Sequence, residues 1–391
     1  MTRELVLLGS TGSIGTQALD VVARAAPGRF RVVGLSSTGR DPAALAAQVA
    51  ATRAEVVAVS ELGAVDAVRA RVSEDVKVLG GPDACDELAA WPCHTVLNGV
   101  AGLAGLRATL TALHAGRTVA LANKESLIAG GPLVREAVGA DRLLDRLLPV
   151  DSEHSALWQC LAGARDREVA RLVLTASGGP FRGRDRASLV DVSPEEALAH
   201  PTWDMGPLVT INSATLANKG LEMIEAQLLF GDVLPGDPYD AIDVVVHPQS
   251  LVHSMVTYVD GSTIAQVSPP DMRLPIALAL AWPDRVAGAA PSMDWTEPVT
   301  MAFEPLDPEA FPSVALARAA GRAGGTAPAV FAAANEEAVA AFLAGNLPFL
   351  GIVATIDRVL SEHVPMPTPT LEDVLEAERW ARARAREVGR A

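Results

Sequence analysis

The sequence predicts an α/β protein in three parts: an N-terminal Rossmann-like, doubly wound parallel sheet, a central α/β domain and a C-terminal helical bundle. Three observations predict it. Short apolar runs alternate with helical patterns over residues 1–150, a glycine-rich turn follows the first of those runs, and the segment from 313 onward carries only helical periodicity. The 391 residues exceed one ordinary core and call for two or three domains, and a 49% hydrophobic content is enough to fill them.

The first element is the strand within "ELVLLGSTGSIGTQALDVVARAA", which runs through glycines into a helix with Ile14, Ala18, Val21 and Val22 on one side. Gly9, Gly12 and Gly15 are spaced GxxGxxG, and glycine at such a turn lets backbone approach a pyrophosphate seated on the helix N-terminus. The second strand, "FRVVGL", ends in "SSTGRD". An NAD site usually carries an acid there; small residues with Arg40 accept a 2′-phosphate, so NADP is expected, with Asp41 next door pulling the other way. A solvated loop arginine is the plain alternative for Arg40. "EVVAVS", "TVLNGV" and "TVALAN" continue the sheet, and "NKES" follows the last of these at the carboxyl end of a strand, where open sheets place ligands. Asn123, Lys124 and Glu125 are therefore expected to face the cleft.

"PVDSEHSALWQC" places Asp151 and Glu153 on either side of Ser152, with His154 behind. In an extended chain these two carboxylates share a side, where charges about 4 Å apart repel by roughly 4 kcal/mol at an effective dielectric near 20. Solvent, arginines or a divalent cation can answer that repulsion.

Downstream, "ARLVLTASGGPFRGR" runs a strand into Ser177, Gly178 and Gly179, a hydroxyl and amides suited to an anion. "HPTWDMGPLVTINSATLANKGLEMIEAQLLF" sets His200, Trp203 and Met205 in a loop bounded by Pro201 and Gly206, either a lid or a plug at the core edge. A helix from about Ser213 puts Asn218 and Glu222 on one face with Lys219 beside them, while Leu221, Ile224, Leu228 and Leu229 cover the core side. Glu222 is the third acid a magnesium or manganese site would need; a surface ion pair with Lys219 is the plain alternative. "VVVHPQSLVHSMVTYVDGSTIAQV" reads as strands whose His247 and His253 fill structural positions. Beyond a proline-punctuated connector, four amphipathic helices close the chain.

Composition narrows the classes further. The net charge of −15 is spread along the chain with no basic cluster, which argues against nucleic acid. No apolar run reaches the roughly 20 residues of a membrane helix, and glycines break the N-terminus too early for a signal peptide, so a cytoplasmic protein is expected. Cys85, Cys93 and Cys160 form no CxxC pair and fit a reducing compartment. Of the 32 basic residues only Lys77, Lys124 and Lys219 are lysine, and the last two fall inside these motifs.

"GSTGSIG", "LANKES", "PVDSEHSA", "ASGGPFR", "HPTWDMG", "NSATLANKGLE", "HPQSLVHS", "PDMRLPI" and "PAVFAAANEEAV" stand in an order and spacing that resembles the 1-deoxy-D-xylulose 5-phosphate reductoisomerase family. The resemblance runs from about residue 4 to the last helix. It implies an NADPH-dependent oxidoreductase and isomerase of non-mevalonate isoprenoid biosynthesis, converting deoxyxylulose phosphate to 2-C-methyl-D-erythritol 4-phosphate, and it implies a homodimer. Without it, a generic NADP-dependent dehydrogenase of a phosphorylated small molecule is the alternative.

Motif by motif, the resemblance implies one Mg²⁺ or Mn²⁺ held by Asp151, Glu153 and Glu222. Lys124, Glu153 and His200 stand as catalytic residues. Ser152, Ser177, Trp203, Ser213, Asn218 and Lys219 join them and Glu222 around the substrate, with Ser177, Ser213, Asn218 and Lys219 on its phosphate and Trp203 in a flap. Thr11, Gly12, Ser13, Ile14, Gly39, Arg40, Asp41, Asn123, Glu125 and Gly206 answer to NADPH. Asp204 in the flap and Asp41 depart from the family pattern. The implied division is an NADPH-binding domain at 1–150, a catalytic and dimerisation domain at 151–283 with its flap near 199–209, a connector at 284–312 and a helical domain at 313–391.

Overall fold

The computed structural model describes residues 2–140, 142–164, 168–199 and 206–389. They form two compact units, one of Met1–Ser126, Val134–Ser155 and Asp271–Pro291, the other of Leu127–Leu133, Ala156–Pro270 and Ser292–Ala391.

The first unit is built on a seven-stranded parallel sheet of β1 (Arg3–Leu8), β2 (Phe30–Ser37), β3 (Val56–Val59), β4 (Lys77–Gly80), β5 (Thr95–Asn98), β6 (Thr118–Leu121) and β7 (Leu147–Pro149). Helices cover both faces of a parallel sheet, so central strands are apolar throughout; Leu5, Val6, Leu7 and Leu8 are all fully buried. The spatial order is β4-β3-β2-β1-β5-β6-β7. Strand order reverses between β1 and β5, which pair as Leu8 to Asn98. That is the crevice where such sheets bind dinucleotides, and the glycine turn opens from it.

The segment Asp271–Pro291 returns to this unit through the helix Arg273–Ala281, which packs on the helix Ser13–Arg24. The Arg273 guanidinium grips Asp271 and reaches Asp20 of that helix at 3.0 Å, while Arg3 donates to the carbonyls of Leu280 at 3.1 Å and Trp282 at 2.6 Å. Arg3 thereby satisfies carbonyls at the C-terminal end of an otherwise apolar helix, "RLPIALALA".

The second unit carries a mixed sheet of β8 (Val169–Ala176), β9 (Ile242–Val246), β10 (Val252–Tyr258), β11 (Thr263–Val267) and β12 (Glu304–Pro305), in the order β11-β10-β8-β9-β12. His247 and His253 take backbone partners, as expected of structural histidines. The Leu251 amide donates to His247 Nε2 at 3.1 Å, so its Nδ1 carries the proton and donates to the Ala302 carbonyl at 2.8 Å; His253 Nε2 lies 3.2 Å from the Ser268 carbonyl. Helix Ala217–Phe230 is buried along most of its length because the helix Ser313–Ala323 lies close against it. A Cβ on Gly220 would stand 2.7 Å from that of Ala317. Helices Ala327–Leu343, Phe349–Glu362 and Leu371–Val388 complete the C-terminal bundle, the last opened by a capping box between Thr370 and Asp373. Among the described residues no helix is long and apolar enough to cross a membrane.

Candidate active site

The glycine turn meets the geometric demands of a pyrophosphate cradle. Gly9 has φ +78° and a Cβ there would sit 2.8 Å from the Gly99 carbonyl oxygen; on Gly15 it would lie 2.4 Å from the Ser10 Cα. These two glycines let the turn lie against the crevice. Gly12 caps the helix Ser13–Arg24 with no side-chain hydrogen bond, and the first turn carries no acid, so its amides and positive dipole end face outward without competition. Thr11, Ser13 and Ile14 flank that end. Two residues that local sequence pattern does not mark hold the turn: the Gly9 amide donates to Ser36 Oγ at 3.1 Å, and Gln48 clamps Ser10 through bonds of 2.7 and 2.9 Å.

At the end of β2, Gly39 adopts φ +89°, and a Cβ would come within 2.6 Å of Val59 Cγ1. Arg40 is exposed, its Nε donating to Glu61 at 2.9 Å. An exposed pair of this kind is worth about 0–1 kcal/mol, so the guanidinium can change partners cheaply. Asp41 caps the helix Pro42–Thr52, accepting from the Ala44 amide at 2.9 Å. One oxygen of its carboxylate is engaged by that helix, whose N-terminal dipole offsets part of its charge. Asn123 caps the helix Lys124–Val138 through the Ser126 amide at 2.7 Å and donates to the carbonyls of Val100 and Gly102, tying the ends of β5 and β6 together. Glu125 lies in the first turn of the same helix.

"PVDSEHS" is not extended, which corrects the expectation that Asp151 and Glu153 share the side of a strand. A helix begins at Ser152. Asp151 Oδ1 accepts from the amides of Glu153 at 3.0 Å and His154 at 3.4 Å, as a helix cap does. The buried His154 ring stands 2.9 Å from the same oxygen, and Lys124 Nζ donates to Oδ2 at 2.6 Å. Burial pushes the Asp151 carboxyl up, but the Lys124 ammonium and His154 outweigh it and hold it well below the usual carboxylate range. Ser152 Oγ donates to Glu153 Oε2 at 2.7 Å. Counter-charge here comes from lysine, imidazole and helix amides, and His154 has the place of an orienting partner. With one donor among the described residues, Asp151 Oδ2 keeps a lone pair, and the oxygen-only donor set of Asp151 and Glu153 suits a hard cation.

In the second unit, Ser177 Oγ accepts from the Gly179 amide at 3.3 Å. Gly178 and Gly179 have φ +84° and +63°, and a Cβ on Gly179 would stand 2.8 Å from the Ser213 carbonyl oxygen. The turn after β8 therefore packs directly on the end of helix Pro207–Ala214, which Gly206 begins. The helix expected from about Ser213 is two helices: Leu216, at φ +58°, breaks the chain between Pro207–Ala214 and Ala217–Phe230. Asn218 and Lys219 both donate to Glu222, as helical spacing requires. The pair is not on the surface, however; the Lys219 and Glu222 side chains are 5% and 2% exposed. An ion pair so deep is a costly arrangement to keep for stability alone. His200 and Trp203, with Asp204 and Met205, lie outside the described residues.

Three family models cover most of the chain: 1-deoxy-D-xylulose 5-phosphate reductoisomerase over residues 5–131, its C-terminal domain over 147–230, and the DXP reductoisomerase C-terminal domain over 267–384. The 1-deoxy-D-xylulose 5-phosphate reductoisomerase of Kitasatospora griseola is 60% identical, the match covering 98% of this chain and 99% of that one. That of Streptomyces avermitilis is 57% identical, over 98% and 97%. Among solved structures, the reductoisomerase from Zymomonas mobilis in complex with NADPH superposes with a TM-score of 0.91 at 40% identity, covering 100% of both chains. A DOX-P reductoisomerase in complex with NADPH, fosmidomycin and magnesium superposes with a TM-score of 0.87 at 33% identity, covering 99% of this chain and 98% of that one.

Proposed function

The chain belongs to the 1-deoxy-D-xylulose 5-phosphate reductoisomerase family, and we infer from that membership and from its site that it rearranges and reduces 1-deoxy-D-xylulose 5-phosphate to 2-C-methyl-D-erythritol 4-phosphate, using NADPH and a divalent cation. The observation that carries the residue assignments is the paired design of its acids: each carboxylate motif holds an acid against a lysine, the half-buried Asp151 with Lys124 and the buried Glu222 with Lys219.

Asp151 and Glu153 would hold the cation, with Glu222 as the third ligand on the strength of its sequence motif. When bound, the cation supplies Lewis acidity toward the substrate's ketone oxygen and neighbouring hydroxyl, and NADPH supplies the hydride. The chain's own groups do the rest. Lys124 and Ser152 donate hydrogen bonds to the substrate oxygens as negative charge grows on them. His154 orients Asp151. Ser177, Ser213, Asn218 and Lys219 bind the phosphate, an anion suited to a charged hydrogen bond from the Lys219 ammonium. Gly12, Ser13 and Ile14, with Thr11, seat the pyrophosphate at the helix N-terminus; Arg40 exchanges Glu61 for the 2′-phosphate, in the loop of Gly39 and Asp41. Asn123, Glu125 and Gly206 complete the NADPH set, and His200 and Trp203 close over the substrate. The catalytic domain spans 151–283, following the NADPH-binding domain of 1–150 and preceding, past the connector 284–312, the helices of 313–391. The enzyme works in the cytoplasm as a homodimer, a reading its unpaired cysteines support for the compartment.

Glu222→Gln tests the assignments. Turnover falls at least about a hundredfold, as for loss of a metal ligand's charge, while NADPH binding measured by fluorescence titration stays within about twofold; loss of NADPH binding would make Glu222 a structural residue.

A further inference from the structure

The C-terminal helices reach into the turn that carries the phosphate-binding residues. Asn335, in the helix Ala327–Leu343, is 1% exposed and donates through Nδ2 to Asn212 Oδ1 at 2.8 Å, while its own Oδ1 has no partner among the described residues. Asn212 is 5% exposed and directly precedes Ser213. From the helix Ser313–Ala323, the fully buried Ser313 donates through Oγ to the Thr215 carbonyl at 2.8 Å. Directly after the second anchor the chain turns through Leu216, a non-glycine residue at φ +58° and ψ +16°. Such a residue is strained in the left-handed region, and it persists only where surrounding structure dictates it.

A buried amide pair with one oxygen orphaned is a poor way to join two helices for stability alone; apolar side chains of similar shape would serve as well or better. What the pair fixes is direction. Asn212 precedes Ser213, Thr215 precedes the reversal, and Asn218 and Lys219 follow it within the first turn of the next helix. A rotation of the first helix about its axis would swing Ser213 away from Asn218 and Lys219, and apolar packing resists such rotation weakly because it is not directional.

We propose that Asn335 and Ser313 are positioning residues for substrate phosphate, acting through Asn212 and the Thr215 carbonyl to set the Ser213–Lys219 turn. The bundle so acts on the chemistry as well as on the fold. The proposal rests on the reading that this turn binds the phosphate.

The test measures Tm and the separate KM values for 1-deoxy-D-xylulose 5-phosphate and NADPH in Ser313→Ala, in Asn335→Leu and in Asn212→Leu/Asn335→Leu, beside Ser213→Ala as the check on the underlying reading. The double variant removes both polar partners, so it keeps the fold if Asn335→Leu alone does not. Loss of one orienting hydrogen bond is expected to raise the sugar-phosphate KM about five- to tenfold in each positioning variant, leaving the NADPH KM within about twofold and the double variant's Tm at or above the parent's. If Ser213→Ala raises the sugar-phosphate KM while Ser313→Ala and the double variant leave it unchanged, the positioning proposal is overturned and the phosphate reading stands. A Ser213→Ala enzyme with unchanged KM overturns the phosphate reading and the proposal with it. Equal rises in both KM values, tracking a lowered Tm, also overturn the proposal by reducing the contacts to ordinary structural ones.

Discussion

Asp151, half-buried, and Glu222, buried, are both acids joined to a lysine, yet the chain neutralises them in different ways. Asp151 stands at the beginning of a helix, where two amides, the His154 ring and Lys124 all converge on it. Glu222 lies in the middle of a helix, where backbone amides are already spent, and its contacts from that helix are the side chains of Lys219 and Asn218. The first acid is held by backbone as well as side chains of its own helix; from its own helix the second takes side chains three and four residues back. A charge held by a helix end tolerates loss of its lysine better than one held within a helix.

Deleting each lysine breaks or sharpens that contrast. Lys219→Met leaves a charge buried at mid-helix and is expected to cost about 3–5 kcal/mol in urea denaturation. Lys124→Met leaves Asp151 its amides and imidazole, so about 1.5–3 kcal/mol is expected from the one charged hydrogen bond lost. Equal costs would show that the helix end contributes nothing. Asp41 is the same capping device on the surface: Asp41→Ala should cost about 1 kcal/mol while leaving the NADPH KM nearly unchanged. A large rise in that KM would return Asp41 to the cofactor.

The smallest effect concerns Asp271, held by side-chain and backbone donors of Arg273. Burial raises its carboxyl, but the Arg273 guanidinium prevails and leaves it below its ordinary value. A folded pKa below the unfolded one gives stability that is complete above about pH 4 and lost as pH falls through the lowered value. Arg273→Gln should therefore lower Tm at pH 7, with the gap to the parent narrowing as acid protonates Asp271 in the folded protein. A gap that widens in acid would contradict this sign.

The central strands of the parallel sheet were legible because they are apolar on both faces and each is followed by its turn signals; their order, and the short β4 and β7, were not. Asp151 as a helix cap was not: five polar residues in a row carry no periodicity, and a capping acid looks like any other until its amides are placed. Nor did any local signal mark Leu216, a left-handed leucine beside the Thr215 carbonyl that Ser313 reaches from far along the chain. The return of "PDMRLPI" to the first unit is non-local in the same way. The depth of the Lys219–Glu222 pair was hidden because spacing along a helix reports which residues meet, and says little about what covers them.

The central claim is that this chain performs a cation-dependent rearrangement and reduction. Purified protein is incubated with 1-deoxy-D-xylulose 5-phosphate, NADPH and Mg²⁺, following nicotinamide absorbance with and without a chelator and identifying the product by mass and NMR. The account predicts substrate-dependent oxidation that stops on chelation and resumes with added cation, yielding 2-C-methyl-D-erythritol 4-phosphate. No oxidation with the cation present, equal oxidation after chelation, or reduction without rearrangement would contradict it.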